Sequence, residues 1–232
     1  MNYLYLLVDL GAFIVPFLFS FHPKLEFYKK WKFVFPAILI SAIPFLIWDS
    51  YFTMIGVWGF TQKYLTGYHL LNLPLEEVMF FICIPYSCLF TYYCLNKLIH
   101  NDFLASAERI ITGILLPILI VVGLYNSTKA YTYSTCIGLT LLLLFLKFYL
   151  KSKWLSRFYF SYMILLIPFL IVNGILTGTG LSEPVVWYND NENIGIRLLT
   201  IPVEDVFYGM TLILLNVSIF EFMSKKNRSK GQ

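Results

Sequence analysis

Charge is scarce in this chain. Asp, Glu, Lys and Arg make up 13% of its 232 residues, against about 25% in a typical soluble domain. Hydrophobic residues make up 59%. That balance excludes a soluble globular enzyme and a disordered chain, and it directs the chain to a bilayer. Cysteine is limited to Cys83, Cys88, Cys94 and Cys136, all inside apolar stretches. Their spacing fits neither a metal site nor a redox pair, so buried thiols are expected. There is no Gly-x-Gly-x-x-Gly fingerprint and no phosphate loop, which excludes a nucleotide-binding domain. No cofactor and no metal are expected. The first apolar segment lacks a basic leading region and a small-residue cleavage pattern and carries Asp9, so it does not read as a signal peptide. Alternating apolar runs are also missing, which argues against a membrane β-barrel.

What the chain does have is seven continuous apolar segments, at approximately 3–21, 33–53, 74–96, 110–126, 132–150, 158–177 and 199–222. A span needs about 20 mostly apolar residues. The expected fold class is therefore an all-α polytopic membrane protein with seven transmembrane helices. The cations sort by side. Fourteen of the 17 Lys and Arg fall in loops 1–2, 3–4 and 5–6 and the tail, and only Lys63, Lys129 and Arg197 fall opposite. Basic loops stay cytoplasmic, which predicts the N-terminus outside, the C-terminus inside and the plasma membrane as location.

The sequence repeats itself. Ile43-Pro44-Phe45-Leu46-Ile47 returns as Ile167-Pro168-Phe169-Leu170-Ile171, with Asp49 and Asn173 five residues after each proline. Upstream, Lys30-Trp31 corresponds to Lys153-Trp154, and downstream Leu73-Pro74-Leu75-Glu76-Glu77 corresponds to Ile201-Pro202-Val203-Glu204-Asp205. This predicts two parallel three-helix repeats, at 1–100 and 131–223, joined by a fourth helix within 101–130 and followed by a basic cytoplasmic tail at 224–232. Membrane repeats of this kind commonly place their site where the copies meet.

Each Pro-x-Glu-Glu/Asp motif opens a span. Proline suits a first helical position, and a carboxylate just after it sits among unpaired N–H groups at the positive helix end. As structure alone, these are good acidic helix starts. As chemistry, two adjacent carboxyls at an apolar boundary, built twice, point to function, because carboxylates near lipid are costly. Adjacent helix residues point about 100° apart, so one of each pair is expected to face inward and the other to orient it. Facing carboxyls from the two repeats would split into one protonated and one ionised group: an acid and a base.

At these residues the chain resembles the small integral-membrane lycopene cyclases of carotenoid biosynthesis, in a single-chain form that fuses the two subunits found elsewhere. The resemblance extends to Trp48-Asp49-Ser50-Tyr51-Phe52-Thr53, Gly56-Val57-Trp58-Gly59-Phe60 and Ile84-Pro85-Tyr86. In the second half it includes Glu183-Pro184-Val185-Val186-Trp187-Tyr188 and Phe207-Tyr208-Gly209-Met210. Some relatives carry a prenyl synthase domain, and no Asp-rich diphosphate-binding motif is seen here. The resemblance implies a redox-neutral cyclisation of a linear carotene, lycopene to β-carotene above all, with lycopene or a related carotenoid, the bilayer and other carotenoid-pathway enzymes as partners and no nucleic acid. An acid protonates the terminal double bond, a neighbouring alkene attacks the cation, and a base removes a proton. Ring type, and which carboxyl is acid and which base, stay open. A flavin-dependent cyclase type does not fit a chain without a nucleotide fingerprint.

The implied catalytic set is Glu76, Glu77, Glu204 and Asp205, with Asp49 and Asn173 completing the network. Aromatic faces can stabilise a cation without reacting with it. The candidates near the motifs are Trp58, Phe60, Phe80, Phe81, Tyr86, Trp187, Tyr188, Phe207 and Tyr208, although membrane packing and the interfacial belt account equally well for any one of them. Arg197 is a candidate ion-pair partner for a carboxylate of the second motif. Two other classes compete. A retinal protein needs a Schiff-base lysine in its seventh span, and residues 199–222 hold none. A transporter or proton channel could also use duplicated carboxylates, but clearly broken spans are missing.

Overall fold

The computed structural model describes residues 3–228, with side chains described as far as Lys225. Of the expected tail at 224–232, residues 229–232 lie outside the described residues. Among the described residues seven α-helices form: α1 Leu4–Phe19, α2 Trp31–Met54, α3 Leu75–Leu98, α4 Glu108–Tyr125, α5 Ala130–Leu144, α6 Leu155–Leu176 and α7 Val203–Arg228. A π-helical turn, Phe145–Tyr149, extends α5, and a 3-10 turn, Phe27–Lys30, leads into α2. Each apolar segment read from the sequence becomes a helix. Six are long and apolar enough to cross a membrane, which makes this an integral-membrane architecture. The exception is α1, whose 16 residues span about 24 Å at 1.5 Å per residue, short of a hydrocarbon core of about 30 Å.

α7 starts later than its apolar run because the residues before it fold as a hairpin. Strands β5 Arg197–Leu198 and β6 Ile201–Pro202 pair antiparallel, as β2 His69–Leu70 and β3 Leu73–Pro74 do before α3. In each hairpin a leucine, Leu71 or Leu199, takes a left-handed φ of 58°, uncommon for a residue with a branched side chain. Each hairpin is then tied to its helix: Leu75 N–H donates to Tyr68 O at 2.9 Å, and Val203 N–H donates to Ile196 O at 3.0 Å. Pro74 and Pro202 are therefore the last hairpin residues, one position before the helices, rather than the first helical residues. The carboxyls that follow occupy the first turns of α3 and α7.

The chain divides into two compact units. The first holds Met1–Met54, Thr61–Leu98 and the chain from Leu212 onward; the second holds Ile55–Phe60 and Ile99–Thr211. Units and repeats are different partitions: repeats follow likeness between segments, and units follow what packs together. In the first unit α3 packs against α1 and α2. In the second, α4 packs against α5 and α6. There the strand β1, Trp58–Phe60, pairs antiparallel with β4, Val186–Tyr188. Gly59 faces Trp187 at the centre of that pairing. A Cβ on Gly59 would stand 2.7 Å from Trp187 Cε2 and nearer still to Cζ2, so only glycine lets the indole lie there.

Candidate active site

In the first unit the site is built on the first turn of α3. Glu76 and Glu77 are both buried. The Tyr5 hydroxyl on α1 donates to Glu77 Oε2 at 2.5 Å. Asp49, five residues beyond Pro44 on α2, is also buried and is hydrogen-bonded to Glu77. Two carboxyls can share a hydrogen bond only if one carries a proton, since an ionised carboxylate only accepts. Glu76 Oε1 accepts the Thr66 N–H at 2.5 Å, while its Oε2 has no hydrogen-bond partner. Asp9 on α1 is 0% exposed. Neither of its carboxyl oxygens has a hydrogen-bond partner, and Glu76 lies within electrostatic reach. Tyr5 and Asp9, one turn apart, are the two buried residues of α1.

The second unit repeats this plan with neutral donors. The Tyr131 hydroxyl, on α5, donates to Asp205 Oδ1 at 2.5 Å. Asp205 Oδ2 accepts from the Tyr188 hydroxyl at 3.1 Å and from Asn173 Nδ2 at 3.4 Å. Glu204 Oε1 accepts the Ile194 N–H at 2.8 Å, the counterpart of the Thr66 bond, and the Thr132 hydroxyl at 2.6 Å. Its Oε2 has no hydrogen-bond partner. Around Asp205 the rings close in. Trp58 meets Tyr131, Tyr188 and Tyr208 edge-on at centroid distances of 5.1, 6.1 and 6.2 Å, and Tyr131 stacks on Tyr188 at 5.8 Å. Such faces carry the negative quadrupole that attracts a cation.

The other residues expected from the sequence are placed as follows. Phe80 lies edge-on to Tyr5 at 6.4 Å, and Phe81 is buried against Phe45 at 6.1 Å. Phe207 lines a small cavity beside Glu204. Phe60 closes β1 opposite Val186, and Trp187 is partly exposed over Gly59. Tyr86 does not join the carboxyls. It stands ten residues along α3 from Glu76, about 15 Å at the helical rise. There it bonds Ser20 Oγ at 2.6 Å and accepts Trp31 Nε1–H at 3.1 Å. Nor is Arg197 paired with the second motif. Its Nη2 donates to Asp190 Oδ1 at 2.5 Å and its Nη1 to Thr200 O at 2.8 Å, because the 189–195 loop folds back over β5. The hydrogen bond from Arg197 holds the Asp190 carboxyl below the usual carboxylate range. Among the described residues no three His, Cys, Asp or Glu side chains are grouped to hold a metal ion.

Four residues at the site escape a reading of the sequence motifs: Tyr5, Tyr131, Thr132 and Asp9. The first three come from helices 72 to 74 residues away from their partners. Asp9 did carry a signal, since an ionisable residue in the middle of an apolar span is functional by default.

Fold and carboxyl clusters together define a class: a polytopic membrane protein that builds one carboxyl–tyrosine arrangement twice. Within that class the chain belongs to the lycopene cyclase family, whose model matches residues 2–95 and 128–223. Among curated proteins it is similar to the bifunctional lycopene cyclase/phytoene synthase of Pyrenophora tritici-repentis, 35% identical over 89 residues, which is 38% of this chain and 15% of that protein. The same bifunctional protein of Aspergillus oryzae is 29% identical over 98 residues, 40% of this chain and 17% of that one. That of Leptosphaeria maculans is 30% identical over 86 residues, 37% and 14%. The matched stretch thus spans about a sixth of these relatives or less. No solved structure matches.

Proposed function

We propose that this chain cyclises the end group of a linear carotene, lycopene being the first substrate to test and β-carotene the first product. One observation carries the reading. In both repeats a buried carboxyl in the first turn of a helix is held by a tyrosine hydroxyl from the helix that opens the repeat. The family match and the names of the relatives support it. Glu76, Glu77, Glu204 and Asp205 form the acid/base set, with Asp49 and Asn173 beside Glu77 and Asp205. One carboxyl transfers its proton to the terminal double bond. The π electrons of the neighbouring alkene close the ring onto the resulting cation. A carboxylate then takes a ring proton, and its electron pair becomes the new double bond. No electrons are gained or lost, and each proton consumed is returned.

The remaining groups serve this scheme. Asp205 accepts three hydrogen bonds, and a carboxylate has about four lone-pair sites, so it keeps one to receive a proton; that suits a base. The ring faces of Trp58, Tyr131, Tyr188 and Tyr208 around it suit a transient cation, and the apolar bundle keeps out water that would quench one. The 14 basic residues on one side support an N-terminus outside and a C-terminus in the cytoplasm, in the plasma membrane. Other carotenoid-pathway enzymes would supply the substrate.

The test is expression in cells that accumulate lycopene, with pigments separated by chromatography. Ring-bearing product is expected from the parent chain. Glu76→Gln and Glu204→Gln should each lose most of it at equal membrane insertion. Unchanged lycopene from properly inserted parent protein would refute the cyclase reading. Full activity in both variants would refute the residue assignment.

A further inference from the structure

The two repeats differ at a buried position one helical turn beyond the tyrosine that holds each motif. Tyr5 and Tyr131 are equivalent by the bonds they make, to Glu77 and to Asp205. One helical turn further on, the first repeat has Asp9 and the second has Thr135, each buried. Each stands near the first carboxyl of its motif: Asp9 within electrostatic reach of Glu76, and Thr135 lining a cavity together with Glu204. The polar atoms concerned are Asp9 Oδ1 and Oδ2 with Glu76 Oε2, and Thr135 Oγ1 with Glu204 Oε2. None of the five has a hydrogen-bond partner. In the second repeat Thr135, Thr132 and Glu204 are among the residues that line a cavity of about 30 Å³, room for one water where polar groups line it. In the first, a carboxyl group stands in that place.

A buried carboxylate with neither cation nor donor is among the most costly arrangements in a protein. The titratable groups within electrostatic reach of Asp9 are Tyr5 on its own helix and Glu76, Glu77 and Cys83 on α3. No basic side chain is among them. Asp9 is therefore stable there in its neutral form, with a hydrogen that no other group claims. Glu76 is the neighbour whose Oε2 lacks a donor.

We propose that Asp9 holds a proton for Glu76 and returns it after each transfer to substrate, which makes the first repeat the proton-loaded copy. The proposal rests on the cyclase reading for the use of that proton, though not for its presence. When Glu76 has protonated the alkene it is a carboxylate. A rotation of the Asp9 carboxyl then brings its O–H to the unpartnered Glu76 Oε2; the Asp9 O–H bond breaks within hydrogen-bond reach, its electron pair stays on the Asp9 oxygen, and a new O–H bond forms on Glu76. The proton released on ring closure restores the balance, so no external acid is consumed. Asp9 acts through Glu76 and is a positioning residue, not one that touches substrate.

The experiment uses the full chain in lipid vesicles, with Asp9→Asn, Asp9→Thr and Asp9→Glu. Infrared spectra are recorded in H2O and D2O, and kcat and KM for lycopene are followed across pH. Asp9→Asn keeps size and polarity but cannot pass on a proton. It should remove one deuterium-sensitive protonated-carboxyl band and lower kcat at least tenfold with KM unchanged, and it should alter the pH profile. Asp9→Thr, the residue of the second repeat, should do the same, and Asp9→Glu should restore both band and rate. Glu76→Gln should shift the Asp9 band. Identical carboxyl spectra for the parent and Asp9→Asn would overturn the proposal, as would a lost band with unchanged kcat. If the parent itself leaves lycopene unchanged, the cyclase reading fails, and the infrared arm alone decides the proposal: a band that Glu76→Gln fails to shift overturns it.

Discussion

Removing one oxygen atom, by Tyr131→Phe, isolates the bond that defines the second carboxyl cluster. The ring stays clasped by Trp58, Tyr188 and Tyr208, so no cavity opens and packing is preserved. What disappears is the 2.5 Å donor to Asp205 Oδ1, while Oδ2 keeps Tyr188 and Asn173. A hydrogen bond to an ionised partner contributes about 1.5–3 kcal/mol. That donor stabilises the ionised carboxylate more than the partly protonated transition state, so its loss makes Asp205 the stronger base; if Asp205 takes the ring proton in the rate-limiting step, kcat rises by up to about ten- to a hundredfold. Tyr188→Phe, removing a bond at 3.1 Å, should change kcat less. The assay is lycopene turnover in vesicles, normalised to inserted protein, with product resolved by chromatography and thermal unfolding measured alongside. A Tyr131→Phe protein that turns over lycopene at the parent kcat, with only its melting temperature lowered, would refute the view that this hydroxyl sets the reactivity of Asp205.

Other outcomes follow from the same geometry. Gly59→Ala drives a methyl group into the Trp187 indole and should destabilise the protein by about 1–3 kcal/mol, visible in thermal melts and as a change in tryptophan fluorescence. Tyr86→Phe removes the bonds to Ser20 and Trp31 and should cost stability of about 1–3 kcal/mol while leaving kcat within a factor of two or so, since about 15 Å of helix separates it from Glu76. Asp190, held below the usual carboxylate range by Arg197, contributes stability to its loop that is complete above its ordinary value of 3.8 and lost as pH falls through the lowered one. Amide exchange at Ile194, whose N–H bonds Glu204, should therefore quicken once the solution is acidified past that point. Asp190→Asn should show the quicker exchange already at neutral pH, with an effect below about 1 kcal/mol because the pair is solvated.

How much of this was legible depends on the distance over which each feature is written. The helices could be read because a span is a local property, an apolar run of the right length. The acidic motifs could be read because they are contiguous and occur twice. Asp49 and Asn173 could be placed by their constant distance from Pro44 and Pro168. Tyr5 and Tyr131 could not, being two of 17 tyrosines whose partners lie 72 and 74 residues away. Only the rotation of α1 against α3, and of α5 against α4, selects them. The hairpins before α3 and α7 escaped because two-residue strands have no periodicity. Arg197 chose Asp190, seven residues away, because the loop doubles back, and neither charge nor spacing encodes that fold-back.

The pairing of Gly59 with Trp187 has a consequence for descent. After a duplication, two copies ordinarily drift apart independently. Here one strand from each copy lies beside the other, and an indole from the later copy occupies the space that a side chain in the earlier one would need. A bulkier residue at 59 would be tolerated only with a smaller one at 187, so substitutions at these two sites should be correlated across the lineage. A chain lacking Trp58–Phe60 would leave Val186–Tyr188 with an unpaired strand edge, open to any other strand.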